Sequence, residues 1–233
     1  MNPWTLFALA AAPAAPAQAD LTATFVPPGG TTTIAKVEVS QDGNARMDFG
    51  KISFFKRGAR MYLVIARGSR PIVIDMAALQ TELRASNAKS RKDVCGPFEV
   101  TAAKADLVHQ GNVTIHGRTG DAWFKRGADG LELARPDMVV SHDPALAPLG
   151  AFLAEQYRVS NGLLPDCPAL NAVVGRVEAA LSGGTAILLN GMELADVREG
   201  AVDPKRFELP APPMSVGAMR SKGSRFTVLP KPD

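Results

Sequence analysis

Between Leu21 and Asp75 the chain is cut into short runs by turn residues, and this punctuation restricts the fold more than any other feature. Turn signals stand at Pro27–Gly30, Asp42-Gly43, Gly50, Gly58 and Gly68-Ser69. The runs between them are Leu21–Val26, Thr33–Val39, Asn44–Phe49, Lys51–Lys56, Arg60–Ala66 and Pro71–Ile74. They are too short for helices, and the hops between them are too short for crossover connections. Strands joined in this way pair antiparallel with their neighbours, so this stretch reads as a β-meander.

The rest alternates helices with further strands. Asp75 can cap a helix in which Met76, Leu79 and Leu83 recur at helical spacing before Ser86-Asn87 ends it. The polar, basic stretch "NAKSRKD" follows as a loop, and a second strand group begins near Phe98. "ADLVHQ" and "VTIHGR" flank Gly111-Asn112, which predicts a hairpin with a two-residue turn. "DAWFKR" with "LELA" predicts another, and Met138–Ser141 a short strand. Two helices come next. One starts at Asp143-Pro144, carries Leu146, Leu149, Leu153 and Tyr157 on one stripe and stops at Asn161-Gly162. The other opens at Asp166, carries Leu170, Val173, Val174, Val177 and Leu181, and ends at Gly183-Gly184. "TAILLN" and "MELADVRE" read as closing strands. Three helices inserted at two places among antiparallel strands give the α+β class.

The N-terminus bears on location. No charged side chain precedes Asp20, the apolar run Trp4–Ala12 is too short to span a bilayer, and Ala17-Gln18-Ala19 has the small-x-small cleavage pattern. Residues 1–19 therefore read as a secretory signal peptide, although no Lys or Arg precedes the apolar run; the other reading is an Ala/Pro leader. No later segment is long and apolar enough to cross a membrane, so a soluble periplasmic chain is expected. In an oxidising compartment Cys95 and Cys167 can form a disulfide worth about 4 kcal/mol on the loop-entropy model, or they stay two thiols too far apart to meet. The net charge of +3 is spread along the chain, so no nucleic-acid partner is expected. The organisation reads as a signal at 1–19, one domain at 20–210 and a Pro-rich basic tail at 211–233.

Candidate chemistry is sparse. Ser141-His142-Asp143 spells triad residues in a row, but adjacent side chains on a strand point to opposite faces, and Asp143 before Pro144 is a helix cap. If Gly111-Asn112 is a turn, His109 faces Thr114, Leu107 faces His116, and the two imidazoles lie as diagonal neighbours on one face. Nothing else predictably joins them as a metal ligand. Dinucleotide, phosphate-loop and HExxH motifs are absent, and no carboxylate pair stands out. No catalytic residue, metal or cofactor is assigned.

Two stretches, "FFKRGA" at Phe54–Ala59 and "WFKRGA" at Trp123–Ala128, read as one hairpin device used twice, turning at Gly58 and Gly127. A three-residue first turn sets Phe54 opposite Tyr62, Ile52 opposite Val64, Phe55 opposite Met61 and Ser53 opposite Leu63. Trp123 meets Leu133 if the loop of the second hairpin has five residues. Both faces of the first hairpin are largely apolar, so something must cover each side. If the protein holds a lipid, Phe54, Tyr62 and Trp123 are the expected wall residues.

The order of parts adds a resemblance. An exported chain opens with "QDGNARMDFG", continues through a meander to "IVIDMAALQTEL", then "VTIHGRTGDAW", and closes on "AVDPKRFELPAPP". Over most of Asp20–Pro213 this resembles the LolA-like group of periplasmic carriers, the outer-membrane lipoprotein-sorting proteins and their uncharacterised envelope relatives. The resemblance implies a half-open antiparallel β-barrel with helices on its concave side, an apolar space sheltering acyl chains, and no covalent chemistry. It also implies that Arg46, at the place of the carriers' early-strand arginine, contacts the helical lid. The expected function is a non-enzymatic binding protein for a lipid-like or acylated lipoprotein ligand in envelope or outer-membrane lipoprotein sorting. The alternative is an envelope scaffold that binds a protein partner and no small ligand, through the tail and the loop at Lys89–Lys92.

Overall fold

The computed structural model describes residues 19–68, 70–87, 95, 106–126, 135–215 and 217–218. The expected signal segment up to residue 18, the strand near Phe98, the "LELA" strand with Gly127 and Leu133, the loop at Lys89–Lys92 and the tail beyond residue 218 lie outside these residues.

The chain runs β1 (Leu21–Val26), β2 (Ala35–Val39), β3 (Ala45–Phe49), β4 (Ile52–Arg57), β5 (Arg60–Ile65), β6 (Ile72–Asp75) and α1 (Met76–Asn87). It continues with β7 (Asp106–Ile115), β8 (Arg118–Arg126), β9 (Met138–Ser141), α2 (Ala147–Asn161), α3 (Pro168–Leu181), β10 (Thr185–Leu189) and β11 (Met192–Glu199). The strands form one 11-stranded antiparallel sheet in the order β6-β5-β4-β3-β2-β1-β11-β10-β9-β8-β7. The sheet is not closed, and with the three helices given for the described residues the fold is an α+β half-open barrel. Its six-strand meander is the one marked by the glycines: Gly29, Gly43, Gly50, Gly58 and Gly68 all have positive φ.

Alternation sorts the side chains into two faces. Ala23, Phe25, Val37, Met47, Leu63 and Ile74 point inward and form one core with Leu149, Phe152 and Leu153 of α2. Two features let α2 settle on the sheet. A Cβ on Gly150 would come within 2.9 Å of Gly184 O, so only glycine permits this approach to β10. Thr185, buried beneath, donates its Oγ1 hydrogen to Leu146 O at 2.8 Å. α1 is capped by Asp75, whose Oδ1 accepts from Ala77 N and Ala78 N, and it is tied to α2 by Gln80 Nε2 donating to Val159 O at 2.7 Å. Lys56 on β4 pairs with Glu155 of α2 at 2.5 Å. α3 covers Met138, Val140 and Ala186 with Val177 and Leu181. Just before α3, Cys167 is bonded to Cys95, across 72 residues of sequence, so the disulfide exists. That loop length gives about 4 kcal/mol of stabilisation on the chain-entropy model.

The outer face is covered as its apolar character requires. Phe55, Tyr62, Val64 and Val73 pack there under Leu209 and Ala211, in the chain that follows β11. This strap is held by charges. Arg206 reaches Glu38 at 2.9 Å and Asp48 at 3.1 Å, while its own carbonyl accepts from Arg46 Nη1 at 3.3 Å. Burial pushes the Glu38 carboxyl up, but hydrogen bonds from Lys36 and Arg206 outweigh it and hold the group below its ordinary range. Asp48 behaves alike: burial raises it, and hydrogen bonds from Ser53 and Arg46 pull it lower still. The strap ends at β6, where Met214 N donates to Val73 O at 2.8 Å, so the packed chain runs past residue 210.

Two registers differ from expectation. The β4–β5 turn has two residues, Gly58-Ala59, and the pairs are Phe54 with Leu63, Phe55 with Tyr62, Lys56 with Met61 and Arg57 with Arg60. Gly58 at φ +56° can occupy the first place of a two-residue hairpin turn, so Arg57 stays in the ladder. In the β7–β8 hairpin, Gly111-Asn112 is not the turn. The strand continues through it with a bulge between His109 and Asn112, and the chain reverses at His116-Gly117, both at positive φ.

Candidate functional site

The inner face leaves a gap of about 300 Å³ at one end, between the sheet and the middle of α2. Phe25, Met47, Phe49 and Phe54 form its floor, and Leu153, Gln156 and Tyr157 of α2 its roof. Leu189, Asn190, Gly191 and Met192 close one side around the β10–β11 turn. The topology explains this placement. The row Phe25–Ala35–Phe49–Ile52–Ile65–Ile72 crosses five ladders at one end of the sheet, and the β1–β2, β3–β4 and β5–β6 turns all emerge there. The β10–β11 turn joins them, because Val26 of β1 pairs with Glu193 just past it. The cavity therefore opens at the turn end of the meander. No charged residue lines it, and its polar members are Gln156, Tyr157 and Asn190. Burial pushes the Tyr157 hydroxyl above its ordinary value, so it stays neutral and able to donate. Such a space accepts an apolar chain and penalises a buried charge.

Of the three expected wall residues, Phe54 lines this cavity. Tyr62 does not: the one-residue register difference puts it on the outer face with Phe55, beneath the strap. Trp123 also lies outside the lining. It pairs with Met138 and packs against the same buried cluster as Tyr157 and Leu189, the Met138, Val140 and Ala186 core under α3. Arg46 sits on the outer face, 2.8 Å from Asp48 and with its guanidinium 4.8 Å from the Phe55 ring centroid. Its contact is with the strap rather than with α2. The cation that does reach α2 from an early strand is Lys56, one strand further on.

The histidines separate as well. His116 occupies the turn and lies 3.0 Å from Glu193 Oε2, while His109 stacks on Trp123 with ring centroids 5.2 Å apart. His142 instead meets Asp121, with Nε2 2.8 Å from Oδ2 and Nδ1 2.7 Å from Gly183 O. Both ring nitrogens face acceptors, so the protonated imidazolium, with a hydrogen on each nitrogen, satisfies this arrangement fully. The Asp121 hydrogen bond, then the Gly183 carbonyl, raise the His142 pKa above its usual value, and His142 in turn lowers Asp121. His109 Nε2 stands 3.7 Å from Asp121 Oδ1. Ser141 is buried with Oγ accepting from Asp143 N at 3.4 Å, and Asp143 caps the turn at Ala145 N. Among the described residues no three His, Cys, Asp or Glu side chains assemble as a metal-ligand set.

Comparison with protein-family models, curated proteins and solved structures finds no match to this chain.

Proposed function

We propose that the protein is an exported, periplasmic binding protein, without covalent chemistry of its own, whose cavity shelters the apolar chain of a lipid-like or acylated ligand. One observation carries this reading. A gap of about 300 Å³ stands open under α2 beside the core that holds Phe25, Met47 and Leu153, and its lining carries no charge. A volume at the lower end of the small-molecule range suits one hydrocarbon chain better than a bulky headgroup, which stays outside. The exported location rests on the apolar leader before Asp20 and on the Cys95–Cys167 disulfide, a bond that persists in oxidising compartments. The resemblance to LolA-like lipoprotein carriers points to the same ligand class, and a role in lipoprotein sorting belongs to this proposal.

The test is a titration with a fluorescent fatty acid. Wild type should bind it saturably. Leu153→Trp, which places an indole in the gap, should lower affinity at least tenfold while leaving the fold intact. Equal binding by both proteins would sink the cavity reading and leave an envelope scaffold that recognises a protein partner.

A further inference from the structure

The end of the barrel that carries the cavity mouth has a surface unlike the rest. Phe49 and Ile52 are the exposed large hydrophobic residues among those described, 45% and 38% accessible, and they are cross-strand partners flanking the β3–β4 turn. Between them stands exposed Lys51, whose carbonyl accepts from Ala66 N at 2.8 Å and so joins this turn to the start of the next. That next connection carries exposed Arg67 and Arg70. Of the connections at this end, residues 27–34, 50–51, 66–71 and 190–191 hold three cations and no acidic residue, while Asp137 stands beside them at the start of β9, which pairs with Leu189. Lys51, Arg67 and Arg70 make no ion pair with any described residue. Glu193, just past the β10–β11 turn, alternates with the inward Leu194 and lies 3.0 Å from His116.

We infer that this end docks on a phospholipid surface bearing anionic headgroups, with Phe49 and Ile52 entering the interface and Lys51, Arg67 and Arg70 meeting the phosphates. An aromatic and an aliphatic side chain at the tip, ringed by cations of one sign, match the two components of interfacial binding. A lysine's aliphatic stem can lie along apolar surface while its ammonium reaches headgroups. Phe49 also lines the cavity, so the insertion point and the cavity mouth coincide. On the cavity reading above, from which this inference takes its purpose, an acyl chain passes between membrane and cavity without crossing water.

Co-sedimentation with vesicles tests it, using the secreted chain with its N-terminus defined by mass. Wild type should sediment with phosphatidylethanolamine–phosphatidylglycerol vesicles, release with salt, and stay in solution with phosphatidylcholine alone. Lys51→Gln/Arg67→Gln/Arg70→Gln should weaken partition by about fivefold per charge, roughly a hundredfold in all. Phe49→Ser/Ile52→Ser should abolish it. Both variants change exposed residues and should keep the wild-type melting temperature. Wild type left in solution, or variants that sediment as wild type does, would overturn the docking inference; so would a protein partner captured at this end in place of vesicles. Fatty-acid binding without vesicle binding removes the docking surface and keeps the cavity, whereas vesicle binding without fatty-acid binding does the reverse.

Discussion

Replacing Arg206 with methionine should loosen the strap that seals the outer face. The guanidinium makes charge-assisted hydrogen bonds to Glu38 at 2.9 Å and to Asp48 at 3.1 Å, and the Glu38 side chain is only 6% exposed. Two such bonds contribute about 1.5–3 kcal/mol each when both partners are desolvated. Here Arg206 is 37% exposed, and the carboxylates keep other partners: Lys36 on Glu38, Arg46 and Ser53 on Asp48. Solvent screening and the remaining pairs together bring the expected loss to about 2–3 kcal/mol. Urea unfolding at neutral pH reads it, and hydrogen exchange at Glu208–Met214 should rise before the sheet exchanges. The pH profile adds a signature. Both carboxyls are depressed in the folded state, so their stabilisation is full above their ordinary values of 4.5 and 3.8 and is lost as pH falls through the lowered values. The variant should lose stability less steeply over that window. An unchanged urea midpoint, or an acid slope equal to wild type, would refute the assignment of the strap to this network.

Three further outcomes are expected. Cys95→Ala/Cys167→Ala should lose about 4 kcal/mol in denaturant, and a loss below 1 kcal/mol would mean that the 72-residue loop is already ordered without the bond. Phe54→Ala should impair fatty-acid binding while Trp123→Ala leaves it within a few-fold of wild type, since only Phe54 faces the cavity; the opposite ranking would move the site toward α3. Asp121→Asn should return the His142 imidazole toward its ordinary 6.5 in an NMR titration. The same Asp121 contact stabilises the fold most below pH 6.5 and fades as pH rises through the raised value, so the variant should lose that pH dependence.

The meander was legible because each of its turns needs a backbone that glycine supplies, and glycines mark the breaks in the sequence itself. Register was not, because Gly58 serves a two-residue or a three-residue turn equally well. That single residue decides whether Tyr62 shares a face with Phe54 or with Phe55. Gly111-Asn112 misled for a related reason: the same dipeptide suits a turn or a bulge, and the true turn uses His116 at φ +46°, a conformation its residue type advertises weakly. Apolar character on both faces of β4 and β5 did announce two covers. One is α1 and α2, and the other is the strap, whose Leu209 and Ala211 carry no periodic signal. Arg46 was read as a lid contact by its place in a motif, yet its alternation with Ala45 and Met47 sends it outward. The Asp121–His142 pair depends on β8 and β9 lying side by side, which no local pattern records.

The central claim is that the gap under α2 holds the apolar part of a lipid-like ligand. Native mass spectrometry of the protein purified from its native source, without detergent, decides this. The expected result is a population heavier by the mass of one acyl-bearing molecule, released on unfolding and diminished in Leu153→Trp. A single unliganded mass in both proteins, with no fatty acid taken up on incubation, would contradict it.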